Sequence, residues 1–142
     1  MDDAHDDFDR FYGLPAIEEG VVGENKSNPV REKAFQFALE IIKVARVLEN
    51  NNEYVISKQL VRSGTAVGAI VEEAIGAESR RDFLHKMSMA HKEAREAHYW
   101  LRLLAASALV PEIDLNEPIG HADELVRLLT AITRTVKKST IQ

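Results

Sequence analysis

The sequence predicts an all-α fold, an up-down-up-down antiparallel four-helix bundle. Small and apolar residues recur at alternating intervals of four and three, first at Ile56, Leu60, Ser63, Val67, Ile70 and Ala74, then at Phe83, Met87, Ala90, Ala94, Ala97, Leu101 and Leu104. That spacing gathers each set on one face of a helix. Between the two sets Gly76 weakens the first pattern, and Ser79 stands where it can cap the second. No segment alternates apolar and polar residues as a half-buried strand would, so nothing opposes an all-helical reading.

The first helix is expected to begin at Ser27-Asn28-Pro29, with Asn28 as cap and Pro29 at the first helical position, where its missing N–H is not needed. It runs to about Asn50. Its apolar residues Val30, Ala34, Phe35, Phe37, Ala38, Leu39, Ile41, Ile42, Val44, Ala45 and Leu48 occupy more than half the circumference. A stripe of about 100° suffices for one core contact. The surplus has two readings, self-association or a central helix touched by both neighbours within its own bundle.

Asn50-Asn51-Asn52 forms a turn, and the second helix begins near Tyr54. Along it Arg62, Ala66, Ala69 and Glu73 make a line beside the seam. The alanines permit close approach, while Arg62 and Glu73 stand about 16 Å apart along the axis and cannot pair with each other. Each needs a partner on another helix or subunit, and Glu93 is the acid named for Arg62. Gly64 and Gly68 read as a small-residue packing element, with no Gly-Lys-Ser/Thr to make a phosphate loop.

The third helix starts after Ser79, with Asp82 placed favourably near its N-terminal dipole. The chain reverses there, giving an antiparallel hairpin. At about 100° per residue, Arg81, Lys92, Arg95, Tyr99 and Arg102 share one arc opposite the apolar seam, and Asp82, Glu93 and Glu96 lie on another. A loop around Pro111 to Pro118 precedes a fourth helix from about His121 to Lys138. Leu125, Leu129, Ile132 and Val136 mark its buried line, and Arg127, Arg134 and Lys138 its outward face.

At 142 residues, 45% of them apolar, the chain suits one helical domain over 27–142. No apolar run approaches the roughly 20 residues that span a bilayer, and the N-terminus is acidic where a signal peptide would be basic. A cytoplasmic protein with no membrane partner is expected. The absence of cysteine excludes disulfides, thiolate metal sites and a cysteine nucleophile. The net charge of −5 is unevenly spread. Residues 1–26 carry eight acids against Arg10 and Lys26, a net of −6, which leaves sixteen bases and fifteen acids, a net of +1, for the remainder. The acidic balance therefore belongs to a tail expected to be mobile, and nucleic-acid binding must be judged on the helical body. Within the tail, FDRFYGLPAI could dock on a neighbour or pack on its own domain.

Catalysis finds little support. A di-metal bundle requires Glu-x-x-His pairs, and no Glu here has His three residues later; within the helical body Asp82-x-x-His85 comes nearest. His91 and His98 lie one heptad apart without a third ligand of suitable spacing. Ser63 sits on the seam with no histidine paired to it. No catalytic residue, metal site or cofactor is expected, and the chain reads as a non-enzyme.

QLVRSGTAVGAIVEEAIGAES and RRDFLHKMSMAHKEAREAHYWLRLL resemble the small four-helix proteins first noticed as reading frames within intervening sequences of bacterial 23S ribosomal RNA. The likeness covers roughly residues 28 to 138. Gln59, Leu60, Arg62, Ser63 and Glu73 match the family's Q-L-x-R-S-x-x-S-I-x-x-N-I-x-E run, and Phe83, Lys86, Ala90, Glu93 and Leu101 match its following helix. Thr65, Ala66 and Val67 cover the usual Ser-Ile region, and Ile70-Val71 replaces a frequent Asn-Ile, removing a polar contact. The resemblance implies a homo-oligomeric ring, a pentamer in known cases, with no established reaction. It also implies kinship with the accessory protein of diversity-generating retroelements, which binds RNA or DNA and a reverse transcriptase through a basic surface. Those proteins are strongly basic, whereas this body is near neutral, which weakens the electrostatic term.

The sequence thus offers a scaffold whose candidate nucleic-acid contacts are Arg81, Lys92, Arg95, Tyr99, Arg102, Arg127, Arg134 and Lys138. Cations beside an aromatic ring suit phosphate contact and base stacking. Helix or subunit contacts fall to Arg62, Ala66, Ala69, Glu73 and Glu93. The competing readings are a solvated basic face that pairs with the acidic arc of the next subunit, and a purely structural protein–protein module.

Overall fold

A computed structural model describes residues 28–140, which form four helices: α1 (Pro29–Asn50), α2 (Val55–Ile75), α3 (Arg80–Ser107) and α4 (Asn116–Thr140). The acidic segment 1–26 and its FDRFYGLPAI run lie outside the described residues. Each helix packs on the next in the chain, and α1 and α4 close the bundle. The pairings run antiparallel. Ser57 of α2 donates to the Ala45 carbonyl near the end of α1, while Gly68 faces Ala34 near its start.

The helix ends follow their capping chemistry. The Asn28 side chain accepts from the Arg31 amide at 3.2 Å with Pro29 opening α1, and Ser79 Oγ accepts from the Asp82 amide at 3.0 Å at the head of α3. Asp82 also accepts from the Glu78 amide at 3.4 Å. Asn52 turns the chain in the left-handed region at φ 60°, where asparagine is tolerated better than most residues.

The core contains Phe37, Ile41, Leu48, Leu60, Val67, Phe83, Met87, Leu101, Leu104, Leu125 and Leu129. All seven expected seam residues of α3 are buried, as are Leu125, Leu129, Ile132 and Val136 of α4. On α2 the seam is rotated from the expected line. Ser57, Gly64 and Val71 are buried beside Leu60, Ser63, Val67 and Ala74, whereas Ile56 and Ile70 are half-buried. The shift arises because α2 must face α1 and α3 together: Ser57 meets the α1 backbone at Ala45, and Gly64 leaves room for the Ile41 side chain.

α4 begins five residues before the expected His121. Pro118 had marked a loop, yet it sits in the first helical turn, where a missing N–H costs no helical bond. Asp114 accepts from the Asn116 amide at 2.9 Å, and the Ile119 amide bonds to the Leu115 carbonyl at 3.0 Å. This extra turn brings Glu117 onto the same helix as His121.

α1 packs on both α2 and α4, but those neighbours do not cover its apolar surplus. Phe35, Leu39 and Ile42 remain 62%, 43% and 40% exposed, at the i, i+4 and i+7 spacing of a single stripe. No helix among the described residues is long and apolar enough to cross a membrane.

Candidate functional site

The outward face of α3 follows from its inward one. Once Phe83 to Leu104 are buried, residues half a turn away must meet solvent, and Arg81, Lys92, Arg95, Tyr99 and Arg102 are all exposed. From Arg81 to Arg102 the row is about 32 Å long at 1.5 Å per residue. Tyr99 is steadied by an edge-on contact with Trp100, ring centroids 5.1 Å apart. None of Arg81, Lys92, Arg95 and Arg102 makes an ion pair among the described residues.

The acids of α3 face the other way. Arg62 of α2 donates to Glu93 at 3.3 Å, and its second terminal nitrogen pairs with Glu96. The hydrogen bond to Glu96 leads the interactions that raise the Arg62 pKa and keep the guanidinium charged. Glu73 takes Lys86 of α3 at 3.4 Å. Both ends of the Arg62–Glu73 line therefore join α2 to α3 within one chain. The environment is wetter than the sequence suggests, because the Arg62 side chain is 49% exposed. The high cost of a buried unpaired arginine does not apply to it. Ala66 is half-buried and Ala69 exposed.

Where α3 meets α4, two histidines lie in the field of the basic face. Burial lowers the His91 pKa, and Arg95 and Lys137 lower it further. His98 is lowered by burial and by Arg102, with Asp123 partly opposing. Thr130 Oγ1 donates to the Val126 carbonyl at 2.7 Å, so its 2.9 Å contact with His91 Nε2 makes that nitrogen the donor. On α4 Arg127 pairs with Asp123 at 2.7 Å, while exposed Arg134 and Lys138 make no ion pair among the described residues.

Ser63 Oγ donates to the Gln59 carbonyl of its own helix at 2.9 Å, so its proton is committed to the backbone. One constellation lies outside the Glu-x-x-His pattern. Glu117 and His121, four apart on α4, meet Glu40 of α1, with one candidate ligand atom from each all within 4.8 Å of one another. Its sequence signal, Glu-x-x-x-His, spans Pro118, a residue that favours a loop but is permitted in a first helical turn.

A profile of the family described as "23S rRNA-intervening sequence protein" matches residues 26–131. The chain is also similar to a crystal structure of a protein with unknown function from the S23 ribosomal protein family of Bacteroides thetaiotaomicron. The two are 38% identical with a TM-score of 0.68, and the match covers 73% of this chain and 97% of that one. No curated protein matches the chain.

Proposed function

The chain belongs to the 23S rRNA-intervening sequence protein family, and from that premise we propose that it is a non-enzymatic, self-assembling helical scaffold that binds nucleic acid through the outer face of α3 and α4. One observation carries the reading. Arg81, Lys92, Arg95 and Arg102 are exposed without an acidic partner among the described residues, while Glu93 and Glu96 are already engaged by Arg62. Two of the three acids of the arc that would neutralise the stripe of a neighbouring copy are thus occupied within their own subunit, and the third, Asp82, accepts from the Glu78 amide at the head of α3. Exposed Tyr99 lies among the cations, where a base can stack. The near-neutral body charge makes one subunit a weak binder, and repetition of the stripe in an assembly compensates through multivalency.

The second reading, a protein–protein module without nucleic acid, draws on the exposed Phe35, Leu39 and Ile42 stripe. Fluorescence anisotropy with labelled single-stranded and duplex RNA and DNA separates the two. Four neutralised phosphates on a duplex predict about a hundredfold loss of affinity between about 50 and about 200 mM salt. The double substitution Arg95→Glu and Arg102→Glu should weaken binding at least about tenfold on the same electrostatic grounds. Absence of binding at low salt, or binding indifferent to both salt and charge reversal, would overturn the nucleic-acid reading in favour of the module.

A further inference from the structure

α1 and α4 meet across an open groove of about 790 Å³, to which α1 contributes Glu40 and Lys43 and α4 contributes Glu117, His121 and Glu124. Three of these side chains converge. Glu117 and His121 are four apart on one helix and so project from the same face, and Glu40 approaches from across the groove. His121 Nδ1 lies 2.9 and 3.1 Å from the two Glu40 carboxylate oxygens. Glu117 makes no hydrogen bond or ion pair among the described residues. Of the other acids that line the groove, Glu124 is taken by Lys33, whose hydrogen bond holds it below the usual carboxylate range.

We propose that Glu40, Glu117 and His121 bind a divalent transition-metal cation, Zn²⁺ in the first instance, in the groove between α1 and α4. One imidazole and two carboxylates form a nitrogen and oxygen donor set of the kind that suits zinc and its first-row neighbours. A metal about 2.0–2.2 Å from each ligand requires donor atoms roughly 3–3.5 Å apart. His121 and Glu40 already meet that spacing, and exposed Glu117 has only to swing inward. Three protein ligands leave a fourth tetrahedral position facing the open groove. The cation would replace the proton that Glu40 and its neighbouring acids now favour on His121, and it would tie the start of α4 to the middle of α1.

The test uses the full chain, stripped of metal with a chelator, titrated with Zn²⁺ by calorimetry and with Co²⁺ by visible absorption. One equivalent per chain is expected, with a Co²⁺ ligand-field band and affinity that falls as pH falls, because protons compete for the imidazole. His121→Gln and Glu117→Gln should each weaken binding by about tenfold or more, while leaving the chelator-treated circular dichroism spectrum unchanged. His5→Gln controls for His5 among the acids of segment 1–26, outside the described residues. Unaltered Zn²⁺ affinity in both groove variants, loss only in His5→Gln, or no binding by the parent chain would overturn the proposal. If the groove variants fail to fold, Glu40→Gln with the same Co²⁺ readout decides it.

Discussion

Gly64 of α2 lies directly against Ile41 of α1: a Cβ built on the glycine would fall 2.8 Å from both Ile41 Cγ1 and Cγ2. Ile41 is fully buried, and these atoms sit at its branch point, so they cannot swing away as the end of a long side chain could. Gly64→Ala should therefore destabilise the bundle by about 1–3 kcal/mol through overpacking. One turn on, the same substitution has the opposite sign. A Cβ at Gly68 meets the Ala34 carbonyl oxygen at 3.5 Å, an ordinary contact. There the helix-propensity gain of alanine, about 0.5–1 kcal/mol, has nothing to offset it. Urea denaturation of the two variants checks the pair; equal shifts in either direction would show that the α1–α2 approach is not set at Gly64.

Arg62 forks between Glu93 and Glu96, and its exposure decides how a deletion behaves. Arg62→Ala should lower the melting temperature at low salt, and the difference should shrink as salt screens the parent's ion pairs. A double-mutant cycle with Glu96→Gln isolates the coupling, which is expected to exceed that with Glu93→Gln because the Glu96 hydrogen bond is the leading influence on the guanidinium. A large, salt-insensitive loss would mean that the pair is buried in the working assembly.

How far the sequence disclosed this molecule depends on whether a feature is local. The seams of α3 and α4 and the caps at Asn28 and Ser79 need only residues a few positions apart, and they were legible. So was the Arg62–Glu93 pair, because two charges beside adjacent seams of a hairpin must meet. The rotated seam of α2 was not, since Ser57 and Gly64 become buried only through their fit against Ala45 and Ile41. The Glu40–Glu117–His121 cluster was hidden for a related reason. It joins the first and last helices, and Pro118, permitted in a first turn, looked like a helix breaker. The basic stripe of α3 could be placed from periodicity, whereas its freedom from acidic partners required the structure.

The histidines predict two opposed pH responses. The His121 pKa is raised, first by its hydrogen bond to Glu40 and then by the charges of Glu40, Glu117 and Glu124 against the penalty of burial. Its stabilisation is fully present below the unfolded value of about 6.5 and is lost as pH rises through the higher folded value. His91 is shifted downward, chiefly by burial, so it contributes nothing at high pH and destabilises as pH falls below about 6.5. With a chelator present, the melting-temperature deficit of His121→Gln should be largest below the unfolded value of about 6.5 and fade as pH rises above it. His91→Gln should instead gain on the parent as pH falls toward 5. Parallel profiles for the two variants would contradict this assignment of opposite shifts.

Assembly should depend on the α1 stripe, because Phe35, Leu39 and Ile42 are the large apolar side chains of that helix left in water by its own bundle. Burying such a row contributes about 25 cal/mol for each Å² of apolar surface removed from water, and a single carboxylate placed in the contact opposes it with a desolvation cost. Phe35→Glu and Ile42→Glu each alter an exposed position, so the monomer's stability should stay within about 0.5 kcal/mol. Sedimentation velocity should show the parent chain as an oligomer and both variants shifted toward monomer, with unchanged helical circular dichroism. Under the scaffold reading the monomeric variants should also lose nucleic-acid affinity although the basic face is untouched, since multivalency disappears with assembly. An oligomer that survives both substitutions would place the subunit contact elsewhere, whereas lost assembly with undiminished binding would show that one subunit's cations suffice.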